Sequence, residues 1–106
     1  MALSLDRYSE RCAMAQKLRT RSIDYDNLFT DAAEIVGYFN ISISGTWAGT
    51  VTAQRSFDSG STWYDVNTWT SNTEEYGFEP ERDVQYRVGI KTGQFISGTC
   101  VVRLSQ

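Results

Sequence analysis

Residues 56–63 read Ser-Phe-Asp-Ser-Gly-Ser-Thr-Trp, and that octet makes the chain reverse direction. The short carboxylate of Asp58 accepts backbone N–H bonds within a tight turn, and Gly60 tolerates the positive φ that such turns demand. Residues 50–55 before it and 62–66 after it are β-rich and alternate in polarity. Two antiparallel strands must therefore meet here in a fixed register. Trp63, just past the turn, is placed to fold its ring back over the hairpin end. Asp58, Gly60 and Trp63 are expected to act as structural turn residues.

The octet resembles the Asp-box, a hairpin motif that recurs in sialidases and other β-propellers, where it sits away from the catalytic centre. Those proteins carry one box per blade. This chain has one copy, and its 106 residues hold at most two four-stranded blades at about 40–50 residues each. It contains no histidine, and no cluster resembling a sialidase's arginine triad. The resemblance therefore implies a hairpin and not that activity.

Strand signals continue along most of the chain. Ile35-Val36 and residues 39–43 lead to an expected turn at Ser44-Gly45. Residues 47–56 alternate, placing Trp47, Gly49, Val51, Ala53 and Arg55 on one face. Residues 63–69 follow the octet, and 70–73 form a polar break. A short strand over 75–78 is expected to close at Glu79-Pro80-Glu81. Val84, Tyr86, Val88 and Ile90 alternate with polar or small residues, as a half-buried strand does. A turn at 92–94 precedes a last strand at 98–104. Six to eight short strands, with turn signals every eight to twelve residues, predict an all-β fold: an antiparallel β-sandwich or jelly roll with an N-terminal arm or short helix.

The net charge of −3 and pI near 4.8 disfavour nucleic acid as a partner. No run approaches the roughly 20 apolar residues of a membrane helix. Asp6 and Arg7 interrupt the N-terminus before any apolar stretch develops, so the chain is expected to be made in a cytosol. Cys12 and Cys100 are then expected as free thiols, with Cys100 buried in its strand. Two isolated cysteines without histidine give no usual zinc site, and no cofactor is expected.

Charge divides the chain unevenly. Residues 1–21 carry five basic side chains (Arg7, Arg11, Lys17, Arg19, Arg21) against two acidic ones, while the other 85 residues hold five basic and eleven acidic. Leu5, Tyr8, Cys12, Ala15 and Leu18 recur at three- and four-residue intervals, with Ser4 available as a cap. Three readings fit: a short helix over about 5–18, an arm that orders on a partner, or a helix packed on its own domain. The expected division is a basic arm over 1–30 and a β-domain over 31–106.

Catalytic chemistry finds little support. Without histidine the usual general base is missing, and no Gly-x-Ser-x-Gly elbow occurs. Glu74 and Glu75 are adjacent and point to opposite faces of a strand. Glu79, Glu81 and Asp83 flank Pro80 and read as a solvated acidic loop, with a weak calcium site as the alternative. The chain is expected not to be an enzyme. Trp47, Trp63, Tyr64 and Trp69 are candidates for stacking sugars; on an unbroken strand Trp63 and Trp69 share a face.

The run Ser44-Gly45-Thr46-Trp47-Ala48-Gly49-Thr50-Val51 entering Arg55-Ser56-Phe57-Asp58 resembles small structural proteins of tailed phages and prophages. Tyr86-Arg87-Val88-Gly89-Ile90-Lys91-Thr92-Gly93 and the closing strand from Ser97 to Leu104 extend the resemblance over about residues 38–106. Such proteins decorate or cement capsids, or serve in tails and baseplates. The resemblance implies a non-enzymatic virion protein, made in the host cytoplasm, that binds the major capsid protein or another virion protein and is a homo-oligomer on the particle. On charge and layout, the contact is expected at Leu5, Arg7, Tyr8, Arg11, Lys17, Leu18, Arg19 and Arg21. A tail, baseplate or head–tail component and a carbohydrate-binding module are the alternatives.

Overall fold

The computed structural model describes residues 17–106, which form seven antiparallel strands in one hydrogen-bonded sheet and no helix. The strands are β1 (Leu18–Ile23), β2 (Leu28–Phe29), β3 (Ala33–Gly49), β4 (Val51–Ser56), β5 (Tyr64–Trp69), β6 (Thr73–Ile90) and β7 (Phe95–Ser105). Their order across the sheet is β1-β7-β3-β6-β4-β5, with β2 beside the end of β6. The all-β antiparallel class and the strand number agree with the sequence. The strands are not uniformly short, since β3 and β6 run 17 and 18 residues.

Those two strands belong to two sections of the sheet. In one, β1, β7, residues 40–49 of β3 and residues 73–79 of β6 lie side by side. In the other, β2 and residues 33–35 of β3 flank residues 84–90 of β6, followed by β4 and β5. Between the sections the register slips. Ile35 pairs with Val84 and Gly37 with Glu79, so residues 80–83 face only Val36. A bulge of this kind bends the strand that carries it. Pro80, which has no N–H for a ladder, sits within it, and Asp83 takes a φ of 63°. The expected break at Glu79-Pro80-Glu81 is therefore a corner inside one long strand.

The expected turn at Ser44-Gly45 is likewise absent, and β3 runs straight through it. Gly45 serves close approach instead. At a φ of 101°, a Cβ there would lie 2.4 Å from the carbonyl oxygen of Thr99 on β7. Glycine signals both a turn and a close strand contact, and the sequence alone does not tell them apart.

Inward-facing residues of both sections form a single cluster: Ile23, Ile35, Ile41, Ile43, Val51, Ala53, Val84, Val88, Ile90, Cys100, Val102 and Leu104, with the rings of Phe39 and Tyr86. Burial of each large aliphatic member contributes about 1.5–3 kcal/mol. The core is thus shared by two sections of one continuous antiparallel sheet. The alternating run Val84, Tyr86, Val88 and Ile90 is buried throughout, and Cys100 is a buried free thiol whose pKa burial raises to about 11.

The sheet starts at Leu18, inside the stretch assigned to an arm, and Ile23 is wholly buried. Residues 18–23 of the stretch expected as an arm thus pair within the sheet. The helical spacing over 5–18 lies almost entirely outside the described residues.

Candidate functional site

The hairpin between β4 and β5 is held by its own side chains. The Ser56 hydroxyl donates to Asp58 Oδ1 at 2.7 Å and accepts from the Gly60 N–H at 2.9 Å. Asp58 Oδ1 also accepts from the Thr62 N–H at 2.8 Å. The hydrogen bond from Ser56, then the one from the Thr62 backbone, hold the Asp58 carboxyl below its ordinary pKa. Gly60 has a φ of 93°, and the Trp63 ring lies 3.5 Å from where its Cβ would stand. Every polar atom of the octet named here is occupied by the turn.

Outside the hairpin, a polar chain ties the outer face of β4, β5 and β6 together. The Arg87 guanidinium lies 4.1 Å from the centroid of Phe29 and 4.4 Å from that of Trp63, and it donates to Gln54 Oε1. Gln54 in turn donates to Asp65, whose other oxygen meets Lys91 at 2.7 Å. A bulge makes this possible. Ala53 pairs with Asn67 but Gln54 with Asp65, leaving Val66 as the extra residue. The bulge also breaks the expected sharing of a face by Trp63 and Trp69. Trp63 lies outside against Arg87, whereas Trp69 packs on the core and donates to Glu75 at 2.6 Å. Trp47 donates to Asn72. The three tryptophans form no common platform.

The acidic loop expected at Glu79, Glu81 and Asp83 is corrected at its first residue. Glu79 is fully buried, because the corner in β6 turns it inward. Its carboxylate accepts from the Tyr86 hydroxyl at 2.7 Å, from Arg55 at 2.8 Å and from the Glu81 N–H at 3.0 Å. Burial pushes the Glu79 pKa up, but these donors and the Arg55 charge outweigh it and leave the value lowered. Burial first, and then the bond to Glu79, push the Tyr86 phenol up to about 12. No signal in the sequence marks this acid as buried, beyond the Arg55 that the alternation puts on the inward face.

Of the residues proposed for partner contact, Leu5, Arg7, Tyr8 and Arg11 lie outside the described residues. Lys17, just before β1, and Arg19 and Arg21 within it occupy alternate positions and so share one side of the strand. They reach across to backbone carbonyls of the segment before and within β3: Lys17 to Glu34, Arg19 to Ala32 at 3.2 Å and Arg21 to Phe29 at 3.3 Å. These cations close the seam between the free edge of β1 and residues 29–34. Leu18 is half exposed on the other side.

A surface absent from the sequence reading appears on the outer face where β3 meets the first half of β6. Tyr38, Tyr76 and Phe78 are 69%, 73% and 56% exposed. Tyr38 and Phe78 are cross-strand partners with ring centroids 4.8 Å apart, and Tyr38 and Tyr76 stand 6.1 Å apart. The rings are tilted by 57–58° to one another. Val36 extends the patch. The outward positions 74, 76 and 78 carried the available signal, two aromatics on the solvent side of one strand.

Among the described residues no group of three or more histidine, cysteine, aspartate or glutamate side chains could hold a metal ion. No helix there is long and apolar enough to cross a membrane. Comparison of the chain with protein-family models, with curated proteins and with solved structures finds no match.

Proposed function

We propose that this chain is a non-enzymatic virion structural protein of the capsid decoration or cement type, docking on the shell through the outer face of β3 and β6. The observation that carries this reading is the exposed aromatic patch of Tyr38, Tyr76 and Phe78. A small domain that has buried a full set of aliphatic residues gains nothing for its own fold by leaving three rings in water. Contiguous exposed apolar surface of this kind marks protein contact, and aromatic residues dominate the binding energy of such contacts. The likeness of residues 38–106 to phage structural proteins supports the virion setting. The acidic groups with lowered pKa are each engaged by donors within the fold, consistent with a structural role.

Co-sedimentation with undecorated capsids of the host phage tests the proposal. The full chain should pellet with capsids saturably, and the Tyr76→Ser/Phe78→Ser variant should not, with β-type circular dichroism unchanged. No pelleting of the full chain would refute the capsid reading and redirect the assay to tails and glycans.

A further inference from the structure

Among the described residues the sheet has an open side: residues 73–79 of β6 pair there with β3 and with no other strand, and β5 pairs with β4 alone. The two edges are joined by the short link at 70–72 and face one another across a cleft of about 80 Å³. Its lining comes from Phe39, Ile41, Ala53 and Tyr86 of the core, with Val66 and Trp69 from β5. Two local features keep it open. The Val66 bulge displaces β5, and Gly77, opposite Phe39, contributes no side chain where a Cβ would come within 2.6 Å of the Phe39 ring.

The opposite seam is shut by Lys17, Arg19 and Arg21, so the contrast lies between a latched edge and an unlatched one. Along the unlatched edge stand Glu74 and Glu75, which accept from Ser42 and Trp69. Neither has a cationic partner among the described residues, where the two ion pairs are Arg55–Glu79 and Lys91–Asp65. Unpaired strand edges are templates for an added strand. The two carboxylates select what is added. A second copy pairing edge to edge would bring a second pair of the same carboxylates to this edge, which like-charge repulsion opposes.

Building on the reading of this chain as an interaction protein, we infer that the edge of β6 over residues 73–79 accepts an extended strand of a partner protein. That strand alternates cationic and aliphatic residues. Its backbone pairs with the β6 edge, one aliphatic side chain enters the cleft between Val66 and Trp69, and a flanking cation, on the other face of the strand, meets Glu74.

The probe is a blocked pentapeptide, Lys-Leu-Lys-Val-Lys, titrated into the isotopically labelled full chain and followed by amide and indole chemical shifts. A second peptide carries glutamate in place of each lysine. The lysine peptide should bind saturably, with shifts confined to residues 66–69 and 73–79, including the Trp69 indole, and with slower hydrogen exchange along 73–79. The glutamate peptide should bind at least about tenfold more weakly, as should the lysine peptide to Val66→Lys, a half-exposed position that tolerates charge. Equal binding of the two peptides, shifts centred elsewhere, or undiminished binding to Val66→Lys would each overturn the inference. Capsid co-sedimentation is read separately. Cleft binding by the peptide without capsid binding would sink the capsid reading and leave the acceptor cleft standing.

Discussion

Glu79→Gln isolates what the buried carboxylate does, because it keeps the shape and removes the charge. In the native protein one oxygen of Glu79 accepts from both Arg55 and Tyr86 while the other accepts from the Glu81 N–H. A glutamine can offer its oxygen to only one of these sides. If it serves Arg55 and Tyr86, its NH₂ confronts the Glu81 N–H, leaving a donor unsatisfied at about 1–3 kcal/mol. Loss of the ion pair adds about 1 kcal/mol, a reduced figure because the Arg55 side chain is 37% exposed and partly solvated. The expected loss is about 2–4 kcal/mol, which lowers Tm by about 10–25 °C in a domain of this size. Urea unfolding at pH 7 measures it, with Tyr86→Phe completing a double-mutant cycle whose coupling should exceed about 0.5 kcal/mol. The pH dependence supplies a second readout. The pKa of Glu79 is lowered on folding, so its contribution is present above its ordinary value of 4.5 and is lost as pH falls through the folded value. The difference in stability between native and variant protein should therefore shrink as the solution is acidified below about pH 4.5. A loss under 1 kcal/mol, or a difference that does not change with pH, would refute the assignment of Glu79 as a charged acceptor at the corner.

Three other substitutions probe separate features. Thr52 buries its hydroxyl without a hydrogen-bond partner among the described residues, so Thr52→Val should raise stability by about 1 kcal/mol in urea titrations; a decrease would show that the hydroxyl is satisfied. Gly77→Ala drives a methyl into the Phe39 ring and should cost about 1–3 kcal/mol, read as a lower Tm, whereas an unchanged Tm would mean the ring yields freely. Gly60→Val places a β-branched residue at a φ of 93° and should cost about 1–3 kcal/mol; a neutral result would contradict the positive φ of the turn.

The parts of the fold that follow from a two-residue period were legible in the sequence. Val84, Tyr86, Val88 and Ile90 face the core, the 56–63 octet turns, and residues 92–94 turn. What escaped was set by partners distant in the chain. Whether Gly45 ends a strand or lets one pass close to Thr99 depends on β7, more than fifty residues later. Whether Trp63 and Trp69 share a face depends on a single extra residue, Val66, that only the pairing with β4 reveals. Glu79 looked solvated because acid, proline and acid commonly mark a loop, and nothing local says that a corner will turn it toward Tyr86. The same holds for the surface. The positive charge of residues 17–21 was visible, but its use on the carbonyls of 29–34 required the seam to form. The aromatic patch needed Tyr38 and Phe78 to become neighbours across strands.

The first and last described strands are partners, and Lys17 and Gln106 exchange backbone hydrogen bonds at the end of their ladder. That arrangement has a mechanical consequence. Force applied between residues 17 and 106 acts at one end of the β1–β7 ladder, which therefore meets it one bond at a time instead of sharing it along the strand. Peeling would proceed from the Lys17–Gln106 pair toward Ile23, pulling the Arg19 and Arg21 side chains off their carbonyls in turn. The Cys100 thiol, opposite Ile23, would be uncovered last, which makes thiol labelling under load a gauge of how far the seam has opened.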